Sequence, residues 1–225
     1  EMLSTLLKDP GHPFTVIIGG AKISDKVNAI LNLLQTADTV LVGGAVGNIF
    51  LKAQGRELGD SFIEDVFVDK AKRKKVDLVE EAKAILKKAE ALGKKIMIPT
   101  DIVISDGSST KVIFVDEGVP SGWMALDIGP QTIKEYSSII SQSKTVFING
   151  PMGKFEDKKF ASGSEAIINA IKSTEGETII AGGDTINAIR GYSSLDEYSH
   201  VSPAGGATLE FLAGRDLPAL LPLIK

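Results

Sequence analysis

Short apolar runs alternate with amphipathic stretches along this chain, a pattern that predicts parallel strands joined by helices. Phe14-Thr15-Val16-Ile17-Ile18 is apolar and β-branched and stops at Gly19-Gly20, which predicts a strand buried on both faces. Across residues 24–34, Val27, Ile30, Leu31 and Leu34 recur at helical spacing, with Ser24 as the expected N-cap. Residues 39–42 predict a second strand, again ending in paired glycines, Gly43-Gly44. Residues 68–92, rich in Ala, Glu and Lys, predict one long helix ended at Gly93. Residues 95–98 and 102–104 read as strands split by Pro99, and 145–148, 178–181 and 199–201 as further strands. Helices are expected over 131–141, 158–173, 184–190 and 209–212. Residues 107–124 are polar and turn-rich, with one short strand at 112–115, and read as an excursion from the main sheet. The order predicts the α/β class: a three-layer, Rossmann-like domain with a mainly parallel sheet of about six strands flanked by helices.

The two ends differ from this pattern. Residues 1–9 predict a short amphipathic helix that starts abruptly, and 217–224 are apolar with two prolines, which suits a tail packed on another surface. Both suggest a chain that docks on, or was cut from, something larger.

Composition narrows the chemistry. A length of 225 residues allows one large domain or two small ones. The net charge of −4 argues against a nucleic-acid surface. With no cysteine, disulfides, thiol catalysis and thiolate zinc sites are excluded, and His12 and His200 alone are too few for a histidine metal cluster. No apolar run approaches the roughly 18 residues of a membrane span, and no leader pattern opens the chain, so a cytoplasmic location is expected.

Four predicted strands end in small or glycine-rich loops, where open parallel sheets bind ligands. In Gly19-Gly20-Ala21-Lys22-Ile23-Ser24-Asp25-Lys26 the glycines admit a base or phosphate, and Lys22 and Lys26 fall on one side of the loop-helix junction; a solvated helix start is the other reading. It is not a Walker A loop. Asn149-Gly150-Pro151-Met152-Gly153-Lys154-Phe155-Glu156 offers a carboxylate to a ribose and Met152 and Phe155 to a base, or is only a turn. In Ala181-Gly182-Gly183-Asp184-Thr185 the carboxylate either ligates Mg²⁺ beside bare N–H groups or merely caps a helix. The loop 202–208, with Gly205-Gly206, cradles a phosphoryl group or just turns the chain.

Taken together and in this order, the loops resemble the C-terminal, nucleotide-binding domain of the phosphoglycerate kinase family, over essentially the whole chain. The stretches that carry it are GGAKISDK (19–26), VGGA…FLKAQG (42–55), IPTD (98–101), GWMALDIGP (122–130), NGPMGKFE (149–156), GGDT (182–185) and HVSPAGGATLEFLAG (200–214). The resemblance implies adenine nucleotide, ADP or ATP, with Mg²⁺ as cofactor. It places Lys22 on the transferred phosphoryl group, Lys26 on the inner phosphates, Asp184 on Mg²⁺, and Thr185 beside the phosphates. Glu156 is implied at the ribose, with Asn149 and Pro151 along the phosphate and sugar path. Gly20, Ala21, Gly44, Ala45 and Leu126 are implied as walls of the adenine slot, with Ala125 lining the base pocket, Phe155 offering apolar contact and Gly182 beside the phosphates. Gly183, Gly205 and Gly206 are implied as N–H donors to charge that builds in transfer.

The same resemblance implies an interdomain helix segment at 1–13, a nucleotide-binding domain at 14–206, and a C-terminal helix and tail at 207–225 packing toward an N-terminal lobe. That lobe binds 3-phosphoglycerate through clustered arginines and histidines. Here Arg56, Arg73, Arg190 and Arg215 form no such cluster, so nucleotide binding without substantial turnover is expected of this chain, and a monomer of the full-length form. Ala45, Ala125, Ala181, Pro203 and Ala204 depart from the family's usual glycines and threonine, and Pro203 removes an N–H donor. The alternative is a stand-alone adenine-nucleotide-binding module. A Rossmann dehydrogenase is disfavoured because no GxGxxG follows a strand.

Overall fold

The computed structural model describes residues 2–69 and 74–215. In chain order the elements are α1 (Met2–Lys8), β1 (Phe14–Ile18), α2 (Val27–Leu33), β2 (Thr39–Val42), α3 (Gly44–Ala53), β3 (Val66–Asp69), β4 (Lys74–Asp77) and α4 (Leu78–Ala91). Then come β5 (Lys95–Met97), β6 (Asp101–Ser105), β7 (Thr110–Phe114), β8 (Met124–Ile128), α5 (Pro130–Ile140) and β9 (Thr145–Asn149). The rest are α6 (Ser162–Lys172), β10 (Glu177–Ala181), α7 (Gly183–Arg190), β11 (His200–Ser202) and α8 (Gly205–Leu212).

Six strands form one wholly parallel sheet in the order β11-β10-β9-β1-β2-β5. Period-2 alternation sends Phe14, Val16 and Ile18 to one face and Ile17 to the other. The first face buries Ile30 and Leu33 of α2, Phe50 of α3, Ile85 of α4 and Leu209 and Leu212 of α8. The second buries Tyr136 of α5, Ile167 and Ile171 of α6, and Ile189 of α7. The predicted three-layer α/β architecture is thus present, because the central strands β1, β2, β9 and β10 bury both sides and each helix one stripe. No helix among the described residues is long and apolar enough to cross a membrane.

The pattern misleads in five places. The long helix expected over 68–92 is instead the antiparallel pair β3 and β4 followed by α4. Asp77 sets that start: its carboxylate accepts the N–H groups of Val79 (2.9 Å) and Glu80 (3.1 Å), an N-cap that outweighs the helical composition upstream. Residues 107–124 do lie outside the main sheet as expected, but their strand is not a lone one. Strand β7 joins β6 and β8 in a second, antiparallel sheet ordered β7-β6-β8, with its own core of Leu51, Ile102, Ile104 and Ile113. Strand β6 therefore leaves the main sheet after Pro99. Ser24 does not cap α2; Lys26 occupies that position and Ser24 bonds elsewhere. The helix expected over 158–173 splits into a 3₁₀ turn (Lys158–Phe160) and α6. Helix α3, unforeseen, follows β2 directly with Val46, Ile49 and Phe50 facing the core. The tail reading at 217–224 lies outside the described residues.

Candidate functional site

Because all six strands run parallel, their carboxyl ends share one edge. The chain builds β1, β2 and β5 outward to one side and β9, β10 and β11 to the other. The crevice of such a sheet opens where that order reverses, here between β1 and β9. The two loops at that point are stitched together. Gly19 N–H donates to the Asn149 carbonyl (2.9 Å), Gly20 N–H to Pro151 (2.7 Å), and Gly44 N–H to Met152 (2.7 Å). Met152 is not a base contact. Its side chain is fully buried as a wedge beneath the loops, where a Cβ on Gly43 would lie 2.6 Å from its Sδ and one on Gly19 2.6 Å from its Cε. The paired glycines are thus demanded by packing at the floor of the crevice.

Two cavities adjoin there, sharing Gly20 and Asp184 in their walls. The first, of about 290 Å³, has Gly20, Ala21, Gly44 and Ala45 on one wall and Ala125 and Leu126 on another. Pro151, Phe155 and Glu156 also line it. Every residue expected in an adenine slot therefore converges on one small, largely apolar space. Phe62, from the segment between α3 and β3, and Pro99 and Ile102, at the start of β6, also line it and were not foreseen. Phe62 is 59% exposed, a large ring offered from a polar loop. Its segment is tied down by Ser61 Oγ, which accepts the Ala125 N–H (2.8 Å), and by the Phe62 carbonyl, which accepts from Asn48 Nδ2 (3.3 Å). Asp127 is a further unforeseen wall residue. Burial pushes its carboxyl up to about 6, opposed by N–H groups of Gly163 and Ile128 and by Ser162 Oγ.

The second cavity, of about 670 Å³, is more polar than the first and lies between the starts of α7 and α8. Neither helix carries a side-chain cap, so first-turn N–H groups there are left for an anion. Lys26, Asn149, Gly182, Gly183, Asp184, Thr185, Gly205 and Gly206 all line this space, as expected residues of the phosphate path. Two of them are already engaged. Thr185 Oγ1 donates to the Ala181 carbonyl (2.7 Å) and accepts the Gly150 N–H (2.7 Å), and Asn149 Nδ2 also donates to Ala181 (3.0 Å). Their hydroxyl and amide brace the strand tips. Gly205 N–H is donated to the Pro203 carbonyl (3.0 Å), whereas Gly183 lies open at the helix start. Phe67, Leu209 and Arg215 line the same space through tertiary packing that no local motif signals.

Charge is concentrated at the junction of the cavities. Lys26 is buried, and its Nζ donates to the Lys22 carbonyl (3.3 Å). Burial lowers its pKa, an effect opposed by Asp25, Asp184 and Glu64 and reinforced by Lys22. Lys22 itself is exposed and lines neither cavity. The carboxylates of Asp184 and Glu156 are exposed and, among the described residues, take part in no hydrogen bond or ion pair. No group of three or more acidic or histidine side chains that could hold a metal occurs among the described residues. That donor set does not suit a resident metal. It does suit Mg²⁺ arriving with a polyphosphate, since this ion is usually held by one or two carboxylates plus phosphate oxygens and water.

The sequence profile of the phosphoglycerate kinase family matches residues 1–215. The chain belongs to the phosphoglycerate kinase family. Members of this family are glycolytic kinases. The phosphoglycerate kinase of Roseiflexus castenholzii is 46% identical over 225 residues, covering 98% of this chain and 54% of that protein. That of Moorella thermoacetica is 40% identical over 228 residues, covering 100% of this chain and 55% of the relative. Among solved structures, phosphoglycerate kinase from Coxiella burnetii matches with a TM-score of 0.87 at 34% identity, over 97% of this chain and 54% of that one. The Pyrococcus horikoshii enzyme matches with a TM-score of 0.82 at 31% identity, over 97% and 53% of the two chains. The chain thus spans about half the length of the relatives it matches.

Proposed function

We propose that this chain is the nucleotide-binding lobe of a phosphoglycerate kinase, holding ADP or ATP with Mg²⁺ for reversible phosphoryl transfer from 1,3-bisphosphoglycerate. The observation that carries the reading is the adjacency of the two cavities, which share Gly20 and Asp184 in their walls. An apolar slot with a free carboxylate adjoins a larger, more polar chamber lined by the starts of α7 and α8. That is the shape and polarity sequence of base, ribose and polyphosphate.

In this reading adenine lies between the Gly20-Ala21 and Ala125-Leu126 walls, against Phe155 and Phe62. Glu156 accepts from the ribose hydroxyls. Lys26 and the N–H groups at the start of α7 neutralise the inner phosphates. At about 4 Å and an effective dielectric near 20, one lysine–phosphate contact contributes about 4 kcal/mol before desolvation. Mg²⁺, held by Asp184, supplies charge compensation to the phosphate oxygens. Lys22, exposed at the rim, is free to follow the transferred group, and Gly183 and Gly206 present N–H donors to charge that builds there. Gly205 contributes by its close approach to Gly182. Residues 2–13 and 207–215 are assigned to the side facing an N-terminal lobe that binds 3-phosphoglycerate. Without that lobe the chain binds nucleotide with little turnover.

Calorimetry with Mg-ADP beside a coupled kinase assay tests this. One Mg-ADP per chain, negligible turnover, and recovery of turnover on adding a separately made N-terminal lobe are expected. Failure to bind Mg-ADP, or brisk turnover by the chain alone, overturns the reading. Binding without recovery would favour a stand-alone adenine-nucleotide-binding module.

A further inference from the structure

Glu64 lines neither cavity, but Phe62, two residues before it, lines the first, and Ser24, which it binds, lines the second. Its carboxylate accepts both groups that Ser24 can donate: the backbone N–H at 2.9 Å through Oε2, and the hydroxyl at 2.7 Å through Oε1. Ser24 is the midpoint between Lys22 and Lys26. Among the described residues, Glu64 is the only side chain from outside the loop that hydrogen-bonds any of residues 21–26. Two charge-assisted bonds to one residue fix both the position and the rotation of that loop.

The segment that presents Glu64 is itself anchored to the adenine side. Phe62, two residues earlier, lines the apolar cavity, and Ser61 holds strand β8 through the Ala125 N–H. The same few residues therefore touch the wall of the base slot at one end and the lysine loop at the other. Glu64 also adds negative charge opposite the buried Lys26 ammonium, alongside Asp25 and Asp184, while Lys22 opposes it.

We infer that Glu64 is a positioning residue that fixes the Lys22–Lys26 loop against the polyphosphate chamber. It acts on nucleotide through the loop, without touching the ligand. The inference rests on the nucleotide reading above.

Calorimetry on this chain with adenosine and with Mg-ADP, across pH 7 to 10, separates this role from simple support of the fold. In Glu64→Ala, Mg-ADP affinity falls by about tenfold, the loss typical of removing a hydrogen bond to a charged group, while adenosine affinity is kept. Glu64→Asp recovers part of the loss. In Glu64→Gln one acceptor remains but the charge is gone. Lys26 then releases its proton at lower pH, and Mg-ADP binding weakens earlier on the alkaline side than in the unsubstituted chain. Equal weakening of adenosine and Mg-ADP, or an unshifted alkaline limb in Glu64→Gln, would overturn the assignment. Unchanged Mg-ADP affinity in Glu64→Ala would do the same. Absence of Mg-ADP binding by the unsubstituted chain would instead remove the nucleotide reading on which it stands.

Discussion

Gly205 and Gly182 meet across the tips of β11 and β10 so closely that a Cβ on Gly205 would stand 2.7 Å from the Gly182 Cα. Gly182 also has a φ of +96°, a left-handed conformation that side chains rarely adopt. This contact brings the starts of α7 and α8 together around one chamber. Gly205→Ala is therefore expected to push the two helix starts apart. Overpacking of this kind costs about 1–3 kcal/mol, read as a lower urea midpoint. Mg-ADP affinity should fall further than adenosine affinity, because the phosphate end alone is distorted.

Asp184 sits at the first turn of α7 and, among the described residues, makes no hydrogen bond or ion pair, so its replacement should cost little stability and much metal dependence. In Asp184→Asn, ADP binding is expected to become nearly the same with Mg²⁺ as with a chelator. Titration calorimetry under both conditions checks this, and a preserved Mg²⁺ enhancement would place the metal's ligand elsewhere.

Asp101 is the other side of the same physics, a carboxylate with both oxygens engaged. It is buried at 3% exposure and accepts the Gln131 N–H (3.0 Å), the Thr132 N–H (2.7 Å) and the Thr132 hydroxyl (2.7 Å), capping α5 from a different strand. Asp101→Ala leaves those donors buried without a partner, at a cost of about 3 kcal/mol, and lowers the thermal midpoint. Asp101 lines neither of the two adjoining cavities, so nucleotide affinity per folded molecule should be unchanged.

These residues also show what the sequence could and could not disclose. The main sheet was legible because β1, β2, β9 and β10 are short, apolar on both faces and closed by glycine or asparagine, a signal that needs no partner to be read. The start of α4 was also written locally, as Asp77 with Glu80 three residues on, but the Ala-, Lys- and Glu-rich stretch around it masked the boundary. Strand β8 and its sheet were not legible, since pairing with β6 joins segments about twenty residues apart whose own patterns are weak. The same division holds at the site. Gly20, Lys26, Gly44, Glu156 and Asp184 sit at strand tips and in motifs. Asp127 reaches the crevice from the second sheet and Phe62 from the segment between α3 and β3, with Glu64 beside it on the lysine loop, where only the folded chain brings them near.

Asp127 carries the pH prediction. Its carboxyl is pushed up to about 6 from an ordinary 3.8, chiefly by burial, so between those values the folded chain holds a proton that the unfolded chain has released. Stability then falls as pH rises. The contribution of the neutral form is complete below about 3.8 and is lost as pH climbs through about 6. At about 1.36 kcal/mol per pKa unit the full span is about 3 kcal/mol. Asp127→Asn keeps the volume against which Gly153 and Gly163 pack and cannot ionise, so whatever fixed cost the amide brings, that pH slope should vanish. Urea unfolding of both proteins at pH 4, 5, 6 and 7 provides the comparison. The asparagine variant should gain on the unsubstituted chain from pH 4 to 6 and level off towards pH 7. A constant difference would mean that the N–H groups of Gly163 and Ile128, backed by the start of α6, already hold the carboxylate ionised at the acid end.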